Sequence, residues 1–379
     1  MIKVSQPTVG EEEVKAVREA FSLGYFGLGS KVIEFEEEVK KYLGVEHVVA
    51  VNTGSSALHL AVDTLGIGKG DEVIVPSLTF VACFQAVSAT GATPIPCDVY
   101  PGTLLIDIED VERKITSNTR AIMPVHYTGN PCNMDALLEI SKRRGIRIIE
   151  DAAHAFGSLY NGKLIGSFGD ITCFSFDSIK TITCGEGGAI VCRDWDTAEK
   201  MRQKRLLGID RKSHASTSWK ERSWFYEVST QGFRYHMSNI NAAIGLAQLK
   251  KLPSFIKRRR EICKMYDSAL AKISGIERLR INYDNITPFI YVICVKEGRR
   301  NDLQGYLKDL DIESGINYVP NHLHPFFRRD GVSLPETERA FSEILNIPLH
   351  CNMTDADVSK VIEGITAYFN THGHPRLAR

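Results

Sequence analysis

Apolar positions along the chain switch between a period near 3.6 and runs of β-prone residues, and the switches predict its elements. Val14, Val17 and Phe21 recur at helical spacing over 11–22, and Val32, Phe35, Val39 and Leu43 do so over 31–43. Between them Gly24 to Gly29 reads as a flexible glycine-rich crossing. A short run, His47-Val-Val-Ala-Val51, stops at Asn52-Thr-Gly-Ser-Ser56, and helix resumes over 57–65. Further strands are predicted at 72–75, 93–97 and 120–125, with helices at 107–114 and 134–143. The strands are nearly continuous in apolar residues, so both of their faces are expected to be covered. This alternation predicts an α/β fold: a large domain with a mostly parallel sheet flanked by helices.

The second half changes character. After Cys192 a helix is predicted through Leu207, then a polar loop over 210–222, then Trp224-Phe-Tyr-Glu-Val228. From Ile240 onward Ala242, Ala243, Leu246, Leu249 and Leu252 form an apolar stripe that Pro253 interrupts. With 379 residues the chain exceeds a single compact core. The boundary is therefore expected near Pro253, giving domains 1–252 and 253–379. An arginine-rich helix over 255–270 leads into a smaller α+β domain with a strand at 289–295, and the tail 371–379 is expected to be mobile.

The chemistry concentrates between Ile146 and Gly188. Ile146-Arg-Ile-Ile-Glu-Asp-Ala-Ala-His154 and Thr172-Cys-Phe-Ser-Phe-Asp-Ser-Ile-Lys180 are apolar runs that end in a carboxylate, Asp151, and an amine, Lys180. In open α/β sheets ligands sit outside the carboxyl ends of strands. An acid and an amine at neighbouring strand ends suit pyridoxal 5'-phosphate (PLP), which needs a lysine for its aldehyde and an anion beside its ring nitrogen. The turn at 52–56 opens a helix whose free amides suit a phosphate; in isolation an ordinary serine cap is the better account of Ser55 and Ser56, and Asp151 and Lys180 tip the reading toward phosphate. No G-x-G-x-x-G follows a strand and no G-x-x-x-x-G-K-[ST] occurs, against dinucleotide and P-loop readings.

The ordered set E-D-A-A-H-A-x-G, F-S-F-x-x-x-K and G-E-G-G resembles the DegT/StrS family of nucleotide-sugar aminotransferases, PLP enzymes of fold type I. The likeness runs from Phe35-Glu36 to Pro348-Leu349-His350. It implies that Lys180 binds the cofactor covalently and shuttles a proton, and that Asp151 holds the ring nitrogen protonated. It further implies a phosphate site at Ser55, Ser56 and Ser175, Phe80 stacked on the pyridine, and His154 at the ring hydroxyl. Tyr318 and His322, in Asn317-Tyr-Val-Pro-Asn-His322, fall in the family segment that lines the sugar side. Two segments depart from the family pattern. Gly232-Phe-Arg-Tyr-His-Met237 stands where the family has G-[FY]-N-[YF]-R-M, so Arg234 replaces an asparagine that reaches the neighbouring subunit's cofactor phosphate, and His236 replaces an arginine. Asp177 stands where a histidine is common.

The resemblance implies a homodimer with shared active sites, L-glutamate as donor, and a nucleotide-linked keto-sugar as acceptor, with amination at C-4 of a 4-keto-6-deoxy sugar for glycan, O-antigen or antibiotic sugar synthesis. Two alternatives stand beside it. One is a PLP sugar dehydratase, whose branch has histidine in place of Lys180; the other is a non-catalytic regulator on the same fold. Bulk properties narrow the partners only a little. Lys plus Arg and Asp plus Glu total 46 each, which gives no global reason to bind nucleic acid or an anionic membrane. No apolar run is long enough for a bilayer, and Met1-Ile-Lys-Val-Ser-Gln carries no secretory pattern. The nine cysteines are scattered without a C-x-x-C pair and read as buried thiols of a cytoplasmic protein, with no metal site assigned.

Overall fold

The computed structural model describes residues 1–210 and 226–372. The polar loop expected over 210–222 and the tail expected to be mobile lie, apart from their first residues, outside the described residues.

Seven strands form the central sheet: β1 (His47–Val51), β2 (Glu72–Pro76), β3 (Thr93–Cys97), β4 (Thr119–Ile122), β5 (Arg147–Asp151), β6 (Ile171–Ser175) and β7 (Gly188–Cys192). Their order is β1-β7-β6-β5-β4-β2-β3, and only β7 runs against its neighbours. The helices of this layer are α1 (Glu11–Ser22), α2 (Ser30–Leu43), α3 (Gly54–Thr64), α4 (Ala82–Ala89), α5 (Ile108–Lys114), α6 (Met134–Arg144) and α7 (Trp195–Lys204). Alternate strand residues serve opposite faces. Val49, Val75, Ile149 and Ile171 pack with α3, α4 and α7, whereas Ile74, Ile122 and Ile148 pack with Leu137 and Ile140 of α6. On the same side as the latter, Ala50, Phe174 and Ala189 meet Phe35 and Val39 of α2. All these residues are buried, which is why the strands read as unbroken apolar runs.

One expectation changes. Pro253 does not end a helix: α8 is continuous over Asn239–Leu270 and carries the proline inside it. Pro253 itself lies on the exposed side of the helix. Packing on both sides holds the helix together. Ala242, Leu246, Leu252 and Phe255 join the core of the seven-stranded layer, while Ile262, Cys263, Tyr266 and Leu270 join a second core. That second core is built on an antiparallel sheet of β8 (Ile276–Arg278), β9 (Tyr291–Val295) and β10 (Ile344–Ile347) with α9 (Arg300–Asp309) and α11 (Asp355–His372), and α10 (Pro335–Glu343) precedes β10. The N-terminus reaches the same layer, since Ile2 pairs with the backbone of Asp311 and Glu313. Among the described residues no helix is long and apolar enough to cross a membrane.

Candidate active site

Two parallel neighbours carry the site. β5 ends at Asp151, which lies opposite Cys173 of β6, and β6 ends at Ser175. The chain then turns. Asp177 accepts the N–H of Lys180 on its carbonyl at 3.0 Å and that of Ile179 on Oδ1 at 3.2 Å, so the amine arrives directly beyond the strand end.

Helix α3 begins against the same strand. Thr53 caps it, with Oγ1 accepting the Ser56 N–H at 3.0 Å. The N–H groups of Gly54 and Ser55 have no acceptor within the helix. A Cβ on Gly54 would stand 2.7 Å from Ser175 Cβ, so this close approach requires glycine. Free amides, the positive end of the helix dipole and the Ser175 hydroxyl together make an anion cradle.

These groups line a single cavity of about 400 Å³ with Phe80, Asp151, His154, Lys180 and Tyr318, joined by Thr79, Asp177 and Glu186. Burial pushes the Lys180 amine down to about 8, against the opposing pull of Asp151 and Asp177. Its Nζ lies 4.3 Å from the centroid of the Phe289 ring. Burial, reinforced by the Lys180 charge, also holds the His154 imidazole well below its usual range. His154 Nε2 is 3.1 Å from the Tyr318 hydroxyl, and its Nδ1 is buried without a hydrogen-bond partner. Asp151 is 5 % exposed. It accepts the Ala153 N–H on Oδ1 at 3.0 Å and the Cys83 S–H on Oδ2 at 2.8 Å. Phe80 is 53 % exposed, with its ring 5.5 Å from that of Tyr318.

The donor set fits PLP: an amine for the aldehyde, a buried carboxylate for the ring nitrogen, an unpartnered imidazole nitrogen, an exposed aromatic face and a glycine-shaped anion cradle. The volume lies within the range usual for small-molecule sites.

Two residues expected to line this cavity lie outside it, and a third, Arg234, is expected at the partner's cofactor. Ser56 does not line the cavity. Its hydroxyl donates to Asn52 Oδ1 at 2.7 Å and lies 2.8 Å from Thr53 Oγ1, within the cap itself. His322 is also outside, buried with Nδ1 2.7 Å from Ser77 Oγ and Nε2 3.3 Å from Glu338. Because both ring nitrogens are taken up by the protein, none is left to meet a sugar. Arg234 is exposed and lines no part of this chain's cavity. His126 is structural: it is fully buried, with Nδ1 accepting the Cys132 N–H at 3.0 Å and Nε2 2.9 Å from Glu150. Sequence reasoning missed Thr79, Glu186 and Cys83. Glu186 was visible inside G-E-G-G, whereas Cys83 looked like any thiol in an apolar run.

The chain is similar to known proteins over nearly its whole length. A profile of the DegT/DnrJ/EryC1/StrS aminotransferase family matches residues 7–366. The spore coat polysaccharide biosynthesis protein SpsC of Bacillus subtilis is 37 % identical over 380 residues, covering 95 % of each chain. Among solved structures, the sugar aminotransferase CalS13 from Micromonospora echinospora superimposes with a TM-score of 0.89 at 31 % identity, over 97 % of this chain and all of that one. Spr1654 from Streptococcus pneumoniae, in its PMP form, gives 0.93 at 29 % identity over 98 % and 100 %.

Proposed function

The chain belongs to the DegT/DnrJ/EryC1/StrS aminotransferase family and is a PLP-dependent sugar aminotransferase, and from that premise we propose that it transfers an amino group from L-glutamate to C-4 of a nucleotide-linked 4-keto-6-deoxy sugar. The product would serve glycan assembly in the cytoplasm, a direction supported by the polysaccharide role named for SpsC.

The observation that carries the reading is a half-buried lysine with its amine brought down to about 8, in one cavity with a buried carboxylate and a helix N-terminus. Bound PLP supplies the electron sink that amino transfer needs. Gly54, Ser55 and Ser175 would hold its phosphate, Asp151 would keep its ring nitrogen protonated, Phe80 would cover its ring and His154 Nδ1 would meet its ring hydroxyl. Lys180 would hold its aldehyde and, as a free amine, would take a proton from the donor's carbon and return it. Tyr318, on the cavity wall beside Phe80, faces the sugar.

The chain works as a homodimer with shared sites. Supporting this, an apolar groove lined by Val14, Val17, Phe21 and Ile244 adjoins Ser178 and Gly185 of the lysine turn, and Phe21, Leu23, Tyr25, Phe26 and Ile33 are exposed nearby in sequence. Arg234, idle toward its own cavity, serves the cofactor phosphate in the partner subunit's cavity, where a guanidinium can bind it bidentately.

A panel of nucleotide-linked keto-sugars with L-glutamate and PLP, read by mass, tests the chemistry. Replacement of one carbonyl by an amine, with 2-oxoglutarate released, is expected. Loss of water from the sugar, or no reaction with any member, overturns the proposal. For the shared site, Arg234→Ala and Lys180→Ala subunits, each inactive alone, are expected to regain activity when mixed into heterodimers, because both defects then fall in one site. Verified heterodimers that stay dead rule it out.

A further inference from the structure

The carboxylate of Asp151 is held at both ends. Ala153 lies immediately past β5 and ties Oδ1 from the same chain segment, whereas Cys83 reaches Oδ2 from α4, an element remote in sequence. With one donor the carboxylate could still turn about its Cβ–Cγ bond. Two donors from separate elements fix its plane.

The geometry points to Cys83 as the positioning residue for Asp151: its thiol S–H, given to Oδ2, sets the orientation in which the carboxylate meets the ring nitrogen of PLP. The inference rests on Asp151 taking the ring-nitrogen role proposed above.

Three observations support a donor role over passive packing. Cys83 is wholly buried, and its Sγ lies only 2.8 Å from a carboxylate oxygen. Burial, and then the neighbouring Asp151 charge, push the thiol well above its ordinary range, so it keeps the proton it donates. Behind it, Thr79 Oγ1 lies 3.5 Å from Sγ, and the Thr79 carbonyl is held by Asn321 Nδ2 at 2.8 Å, so the helix entry cannot easily drift from Asp151. A thiol is also a weak donor. It orients the carboxylate while drawing off less of its charge than a hydroxyl would.

Cys83→Ser keeps a donor of similar size, Cys83→Val fills the space without one, and Cys83→Ala removes both. Each variant and Asp151→Asn would be stripped of cofactor and titrated with PLP. The readouts are the dissociation constant, the pH at which the bound cofactor's absorbance changes, and the melting temperature of the apoprotein. Cys83→Ser is expected within about twofold of the parent. Cys83→Ala and Cys83→Val are expected to bind PLP about tenfold more weakly, as loss of a hydrogen bond to a charged group commonly does. Their absorbance transition should move in pH, with apoprotein melting no lower than in Cys83→Ser beyond the cost of altered packing. Parent-like affinity and transition in the alanine and valine variants overturn the inference. So does a serine variant as impaired as they are, since size rather than the donor then matters. Should valine not fold, the alanine and serine variants decide alone. Parent-like behaviour of Asp151→Asn removes the ring-nitrogen reading and this inference with it, while an impaired Asp151→Asn beside parent-like Cys83→Ala and Cys83→Val removes only the inference.

Discussion

Glu150 and Asp151 are consecutive and both buried, yet they do different work. Strand geometry sends their side chains to opposite faces of the sheet. Glu150 falls on the face of Ile148, where three fixed donors meet its carboxylate. Oε1 accepts the Gly169 N–H and the Thr172 hydroxyl at 2.7 Å each, and Oε2 is 2.9 Å from His126 Nε2. Since the Cys132 N–H occupies Nδ1, the His126 proton sits on Nε2 and points at Glu150. A Cβ on Gly169 would come within 2.8 Å of Glu150 Oε1, so even the backbone is shaped around this carboxylate. Asp151 falls on the face of Ile149, at the wall of a cavity, beside a mobile-proton group, Lys180. The same chemistry therefore serves structure when its lone pairs are filled by the fold, and serves catalysis when one side is left for a ligand.

The strongest way to break the contrast is on the cavity side. Lys180→Ala should abolish turnover, by about a thousandfold or more given the usual contribution of a positioned acid–base group, while the folded protein still binds PLP non-covalently. Borohydride reduction should then fix no cofactor to residue 180, and wild-type turnover would return Lys180 to a packing role. Next, Asp151→Asn should lower the rate by about a hundredfold or more with a much smaller change in the denaturation midpoint. Glu150→Gln should do the reverse. An amide there must aim its N–H₂ at a donor, either His126 Nε2–H or the Gly169 and Thr172 pair. The expected loss is about 3 kcal/mol of stability, read by urea denaturation, with folded enzyme retaining most of its PLP affinity. If Glu150→Gln hurts rate at unchanged stability, the division between the two faces fails.

Much of this was legible beforehand because it is local. Apolar runs buried on two faces announce strands, and a charge at a run's end announces a strand terminus facing solvent or a ligand. What was illegible depended on partners far along the chain. His322 reads as a site histidine until Ser77 and Glu338 claim both of its nitrogens. Ser56 and Ser55 look equivalent, and only helix phase turns one into the cap and the other into the cavity wall. Pro253 reads as a break in the helix because local cost was weighed without the two cores that grip α8 on either side of it. The role of Glu150 was hidden for the same reason: the motif shows two acids and says nothing of Gly169 or His126.

The smallest expected effect tests whether the two carboxylates differ electrostatically as well as geometrically. A lysine reacts with an aldehyde only as the neutral amine. Burial lowers Lys180 to about 8, and Asp151 is the foremost of the charges that resist this lowering. The neutral fraction grows as pH rises through the amine's pKa. Capture of PLP by the apoprotein, followed by borohydride trapping at Lys180, should therefore accelerate up to about pH 8 and level off above it, whereas an ordinary lysine would keep gaining to about pH 10.4. Removing the Asp151 charge takes away a stabiliser of the ammonium form, so Asp151→Asn should shift the midpoint to lower pH. Glu150 does not figure among the charges acting on Lys180, and Glu150→Gln should leave the midpoint where it was. A midpoint near 10 would mean that burial does not lower Lys180, and an equal shift in both variants would mean that the sheet does not insulate one acid from the other and that the contrast is geometric alone.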